Sequence, residues 1–141
     1  MTSRILIVDD HPAARITIRS LLDWHSLQVC GEAQNGKEAM EKVLELKPDI
    51  VLLDITMPVM DGIQAAYEIR RVSPETKIVF LTVAEEPSVL GGALLWSHGF
   101  VSKSEAGTKL IPTLKQLASS TAAEGRKNHV RARRPTASRR R

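Results

Sequence analysis

The sequence predicts a doubly wound α/β domain: a five-stranded parallel sheet flanked by helices on both faces. Three observations carry this. Short aliphatic runs alternate with stretches of helical periodicity from residue 4 to residue 117, as repeated βαβ units require. The strands expected at 4–8, 49–54 and 77–83 are the most apolar, which fits central strands buried on both faces. The chain has 141 residues, enough for one domain with a sizeable core.

The first strand, Arg4–Val8, is Ile5-Leu-Ile-Val8 after a polar entry. The first helix, Pro12–Trp24, has proline in its first turn, where the missing N–H costs nothing, and Ile16, Leu21 and Leu22 are expected on its inner face. Gln28–Ala33 is a weaker second strand containing Cys30, expected as a small buried residue. Residues 35–47 form a helix with Asn35 as N-cap and Ala39, Met40, Val43, Leu44 and Leu46 as its apolar stripe. Pro48 ends it. The third strand, 49–54, is followed by a helix over 61–72 capped by Asp61, with Ile63, Ala66, Tyr67 and Ile69 facing inward. The fourth strand spans 77–83 and the fifth 100–102. The last helix, 104–117, carries Leu110, Ile111, Leu114 and Leu117, and Pro112 either kinks it or moves its start to about residue 111. Between them, 85–98 contains Gly91-Gly92, each costing roughly 1 kcal/mol in a helix, so a short or frayed fourth helix is expected there.

The net charge of +4 conceals a division. Residues 1–118 hold twelve Lys/Arg against fifteen Asp/Glu, whereas residues 119–141 hold eight Lys/Arg and one Glu. The expected organisation is a domain over 1–118 and a basic, disordered tail over 119–141, because the tail has too little apolar content to bury. No apolar stretch approaches the ~20 residues that span a bilayer. With no signal-peptide pattern and a single cysteine, the expected location is cytoplasmic, without membrane contact.

The chemistry gathers at the strand ends. Asp9 and Asp10 follow the first strand, Asp54 ends the third, Thr82 ends the fourth and Lys103 follows the fifth. These are carboxyl ends of parallel strands, so all five share the edge where open α/β sheets bind ligands. Carboxylates 4 Å apart repel by about 4 kcal/mol at an effective dielectric of 20, and a hard cation relieves this. An all-oxygen, water-rich site favours Mg²⁺. A carboxylate nucleophile, a metal, a lysine and a hydroxyl are the parts for accepting a phosphoryl group.

Residues 4–118 resemble the receiver domain of two-component response regulators. The stretches that carry the resemblance are Ile5-Leu-Ile-Val-Asp-Asp-His-Pro12, Val51-Leu-Leu-Asp-Ile-Thr-Met-Pro-Val-Met-Asp-Gly62, Phe80-Leu-Thr82 and Gly99-Phe-Val-Ser-Lys103. The Asp-Asp-His-Pro opening and Lys103-Ser104 look like the subfamily usually joined to a helix-turn-helix DNA-binding domain. The resemblance implies a flavodoxin-like (βα)5 fold with strand order 2-1-3-4-5. It also implies Asp54 as phospho-acceptor and Mg²⁺ held by Asp10 and Asp54, by Asp9 mainly through water, and by the Thr56 backbone carbonyl. Lys103 and Thr82 would contact the phosphoryl group, and Phe100 would turn inward with Thr82, altering the face made by the fourth helix, fifth strand and fifth helix. Implied partners are a sensor histidine kinase or phosphotransfer protein, and a second copy of the chain through that face. The protein would be regulatory, catalysing only its own phosphoryl transfer and dephosphorylation.

The sequence departs from the family pattern at several points. Ser104 stands where many receivers have proline after the lysine, in a bond that is often cis. Phe100 replaces a more frequent tyrosine, and the segment from Thr82 to Lys103 is one residue short. Thr56 and Ala84 occupy the positions that tune dephosphorylation in the family, and neither side chain can orient a water, so slow autodephosphorylation is expected. His11 is read as a polar residue opening the first helix, beside the acids. A stand-alone receiver is the leading expectation, because 23 tail residues are too few for a DNA-binding domain. The alternative is a receiver-regulated nucleic-acid-binding protein acting through phosphate contacts of the Arg-rich tail. A phosphatase using an aspartyl-phosphate would want an acid at position 56.

Overall fold

The structure is a computed structural model. It describes residues 3–55, 57, 59–83 and 97–131, with the backbone alone for Thr82 and for residues 119–131. Five parallel strands, β1 (Arg4–Val8), β2 (Gln28–Ala33), β3 (Ile50–Leu53), β4 (Lys77–Thr82) and β5 (Gly99–Ser102), make one sheet in the order β2-β1-β3-β4-β5. This is the predicted topology. One transverse row, Val8, Leu53, Phe80 and Phe100, crosses four strands in register.

Alternation along the strands divides the core between the two faces. Leu6, Val8, Val51, Leu53, Ile78 and Phe80 point to α2 (Gly36–Leu46) and α3 (Gly62–Val72). Ile5, Ile7, Ile50, Leu52, Val79 and Leu81 point to α1 (Pro12–Trp24) and the C-terminal helix (Ala106–Arg131). Asn35 accepts a hydrogen bond from the Glu38 N–H at 2.8 Å, and Glu38 answers by accepting from the Gln34 N–H at 2.9 Å. Asp61 accepts from the Gln64 N–H at 2.9 Å. Both predicted caps are therefore formed.

Three expected core residues face solvent instead: Ile16, Leu44 and Tyr67. In α1 the buried stripe runs through Ile18 and Leu22, and Ile16 lies about 200° around the helix from Ile18 at ~100° per residue. In α2 the stripe is Ala39 and Val43, and in α3 it is Ala65, Ala66 and Ile69, each leaving the next large residue outside. Cys30 is half-buried. Burial raises its thiol pKa while the nearby Arg4 works against that rise, the setting of an unreactive cysteine.

The C-terminal helix also departs from expectation. It starts at Ala106, after a 3-10 turn at Lys103–Glu105, and keeps Pro112 in its interior. Pro112 and Thr108, whose carbonyl loses its donor, are both exposed, so water can serve that carbonyl. The helix passes Leu117 and continues through Arg131, so the first part of the basic segment is helical rather than unstructured. Extending a packed helix avoids a new nucleation cost, and Ala118, Ala122, Ala123, Glu124 and Arg126 favour continuation. Residues 84–96, which hold most of the irregular segment, and 132–141 lie outside the described residues. No helix among the described residues is long and apolar enough to cross a membrane.

Candidate functional site

Main-chain hydrogen bonds set the acids at the sheet edge. Asp54 N–H donates to the Val8 carbonyl and Asp9 N–H to the Ala33 carbonyl, each at 3.0 Å. Each acid thus extends the ladder by one rung beyond its strand, with its backbone fixed and its side chain at the carboxyl edge. Asp9 is 1 % and Asp54 4 % exposed. Ligand atoms of Asp9, Asp10, His11 and Asp54 lie within 4.8 Å of one another, the one such cluster among the described residues.

Lys103 enters from the end of β5. Its Nζ lies 2.7 Å from Asp9 Oδ2 and 3.5 Å from Asp54 Oδ2. Burial works against its charge, yet its pKa is raised, because the close ion pair with Asp9 and the charge of Asp54 outweigh desolvation. His11 Nδ1 lies 3.2 Å from Asp9 Oδ1 and 3.1 Å from Asp10 Oδ1. Asp9 Oδ2 and Asp10 Oδ1 are buried without a well-formed hydrogen bond; Lys103 and His11 stand close to them, at poor angles. Buried carboxylate oxygens that lack hydrogen bonds fit a hard divalent cation, which needs oxygen donors without directional demands.

The two acid-bearing loops are braced differently. In the β1–α1 loop, the His11 N–H donates to Asp9 Oδ1 at 2.9 Å and Arg15 Nη1 donates to the Asp9 carbonyl at 2.6 Å. Arg15 Nε is 3.1 Å from Glu32 Oε1 on β2, and Arg19 Nη1 is 2.5 Å from Glu32 Oε2. In the β3–α3 loop the bracing is uncharged: the Gly62 N–H donates to the Ile55 carbonyl at 2.7 Å, and the approach is sterically tight. A Cβ on Gly62 would fall 2.0 Å from the Asp54 carbonyl oxygen, so only glycine lets the start of α3 approach the end of β3. Val59, exposed and β-branched, has φ 71°, an unfavourable conformation for such a residue.

Asp9, Asp10, Asp54 and Lys103 therefore meet as the sequence predicts. Phe100 is half-buried against the α2/α3 side of the core. The backbone of Thr82 pairs with Ser102; its side chain, like Thr56 and Ala84, lies outside the described residues. The Lys103–Ser104 bond is trans. Sequence reasoning missed Arg15 and Glu32, although Arg15, four residues after His11, sits one helical turn from the acidic loop. It also passed over His98, whose Nδ1 accepts the Ile78 N–H at 3.0 Å while its own N–H donates to the Ile78 carbonyl at 2.8 Å. A groove of about 420 Å³ between the ends of α2 and α3, lined by Lys47, Pro48, Asp49 and Thr76, is at the opposite edge of the sheet and holds none of the acids of the cluster.

The response regulator receiver domain family matches residues 5–115. This chain belongs to that family. It is a receiver domain of a response regulator in two-component signalling. It is 36 % identical to the chemotaxis protein CheY of Thermotoga maritima over 118 residues, covering 83 % of this chain and 98 % of CheY. It is 46 % identical to the response regulator GacA of Pseudomonas viridiflava over 84 residues, 59 % of this chain and 39 % of GacA. The chain thus spans the length of one relative and well under half of the other. Among solved structures, a LuxR-family two-component response regulator from Aurantimonas sp. matches with a TM-score of 0.79 and 30 % identity, covering 85 % of this chain and 87 % of that one. The family is regulatory; its members interact with histidine kinases or phosphotransfer proteins and bind Mg²⁺ at an acidic pocket.

Proposed function

We propose that this receiver accepts a phosphoryl group on Asp54 from a sensor histidine kinase or phosphotransfer protein, and that the change alters its contacts with a partner. The observation that carries this reading is the juxtaposition of buried Asp54 with Lys103 and with the Asp9–Asp10 pair. Asp54 Oδ attacks phosphorus in line, the bond to the donor's leaving group breaks, and that group keeps the electron pair. Lys103, already 3.5 Å from Asp54, pairs with the arriving phosphoryl oxygens and leaves part of its contact with Asp9. Asp9, Asp10, Asp54 and the Thr56 carbonyl would hold Mg²⁺, which when bound supplies charge neutralisation for the transferring group. The Thr82 hydroxyl would hydrogen-bond the product, with Phe100 following.

Asp54 should be labelled by a small phosphodonor such as acetyl phosphate with Mg²⁺, read as a mass increase on the intact protein. Wild type should gain one phosphoryl group and Asp54→Ala none; equal labelling of the two would overturn the assignment. With Thr56 and Ala84 at the positions that tune hydrolysis, phospho-Asp54 should persist well beyond seconds in the isolated protein. Gel filtration of the labelled protein tests dimerisation through the face around β5. The eight Lys/Arg of residues 119–141 favour a second reading of output, in which that segment contacts nucleic-acid phosphates. Binding that weakens steeply with salt and disappears on deleting 119–141 would support it.

A further inference from the structure

We propose that Arg15 is a positioning residue for the acidic site, holding the Asp9 peptide so that the Asp9 and Asp10 carboxylates face the cation. The inference rests on the metal-binding reading above. The Asp9 peptide is fixed at both ends: its N–H donates to Ala33 on β2, and its carbonyl accepts from Arg15 at 2.6 Å. The orientation of that carbonyl sets the plane of the Asp9–Asp10 peptide bond, and hence where both side chains emerge.

Arg15 itself is held by Glu32, whose second oxygen is taken by Arg19. Arg15 is the more enclosed of the two arginines, its side chain 17 % exposed against 45 % for Arg19. Only arginine can make these two contacts at once, because its planar fork offers donors in two directions. The guanidinium's own positive charge opposes a nearby cation, so a loss of cation affinity on its removal reports positioning and not charge. Arg19 shares Glu32 through its Nη1, so nature supplies a control within the same network.

The experiment measures Mn²⁺ binding to the full chain, reading the free-ion electron paramagnetic resonance signal, for wild type, Arg15→Gln, Glu32→Gln and Arg19→Gln, with thermal melts of each. Groups that orient metal ligands typically change affinity 10–100-fold. Arg15→Gln should weaken Mn²⁺ binding about 10-fold, Glu32→Gln should weaken it less, and Arg19→Gln should leave it within about twofold. Glu32→Gln keeps the test open if Arg15→Gln does not fold. Unchanged affinity in Arg15→Gln, or equal losses in Arg15→Gln and Arg19→Gln that track their melting temperatures, would overturn the positioning role. If wild type binds no Mn²⁺, the metal reading falls, and this inference falls with it.

Discussion

The two loops that carry the acids solve one problem by different physics. The β1–α1 loop, with Asp9 and Asp10, is held by directional and charged contacts from Arg15, Glu32 and His11. The β3–α3 loop, beyond Asp54, is held without charge, by a backbone hydrogen bond from Gly62 to Ile55 and by shape, with Gly62 against the Asp54 carbonyl. Charged bracing can be loosened gradually by salt or by substitution. A contact that leaves no room for a single carbon either holds or displaces its neighbour. The loop that presents Asp9 and Asp10 is therefore adjustable, and the loop that follows Asp54 is not.

The sharpest way to break this contrast is Gly62→Ala. The added carbon has no space against backbone, so a loss of about 3 kcal/mol is expected by chemical denaturation, the upper part of the range for overpacking. The loss should be the same in low and high salt. A drop below 1 kcal/mol would show that the β3–α3 loop can yield. Next in size is the cap of α3: Asp61→Ala should cost about 1 kcal/mol, measured the same way.

Lys103 tests the charged side through pH. Its pKa is raised in the folded protein, so its stabilising contribution is complete below the unfolded lysine value and is lost as pH rises through the folded one. Lys103→Met should therefore flatten the alkaline fall in melting temperature above about pH 10.4. An unchanged slope would remove Lys103 from the charge balance. The smallest effect belongs to Val59. Asparagine tolerates its left-handed backbone better than a β-branched residue does, so Val59→Asn should relieve part of that strain and gain roughly 0.5 kcal/mol.

The strands were legible because parallel βα repeats write continuous apolar runs, their order because the motifs resemble a known family, and the acids because each stands directly after such a run. The caps were legible at Asn35 and Asp61, where an acceptor precedes a helical period. Ile16, Leu44 and Tyr67 misled because each helix is short and its apolar residues crowd adjacent positions; a rotation of one residue decides which are buried, and small alanines take the innermost places. The end of the last helix was misread because burial, the cue used, stops near Leu117, while backbone propensity does not. Arg15 with Glu32 was invisible for another reason: their pairing joins a helix to a strand 17 residues away, and only the fold brings them together.

The row Val8, Leu53, Phe80, Phe100 has a consequence in distance. Strands lie about 4.8 Å apart, so Phe100 stands roughly 10 Å from β3, two strand spacings away. One strand separates them, and its residue in that row, Phe80, is fully buried and among the largest side chains of the core. A displacement at β3 therefore meets a close-packed ring before it reaches Phe100, and a packed interior transmits strain rather than absorbing it. Trimming that ring, as in Phe80→Leu, would leave both ends of the row in place and slacken the only part between them.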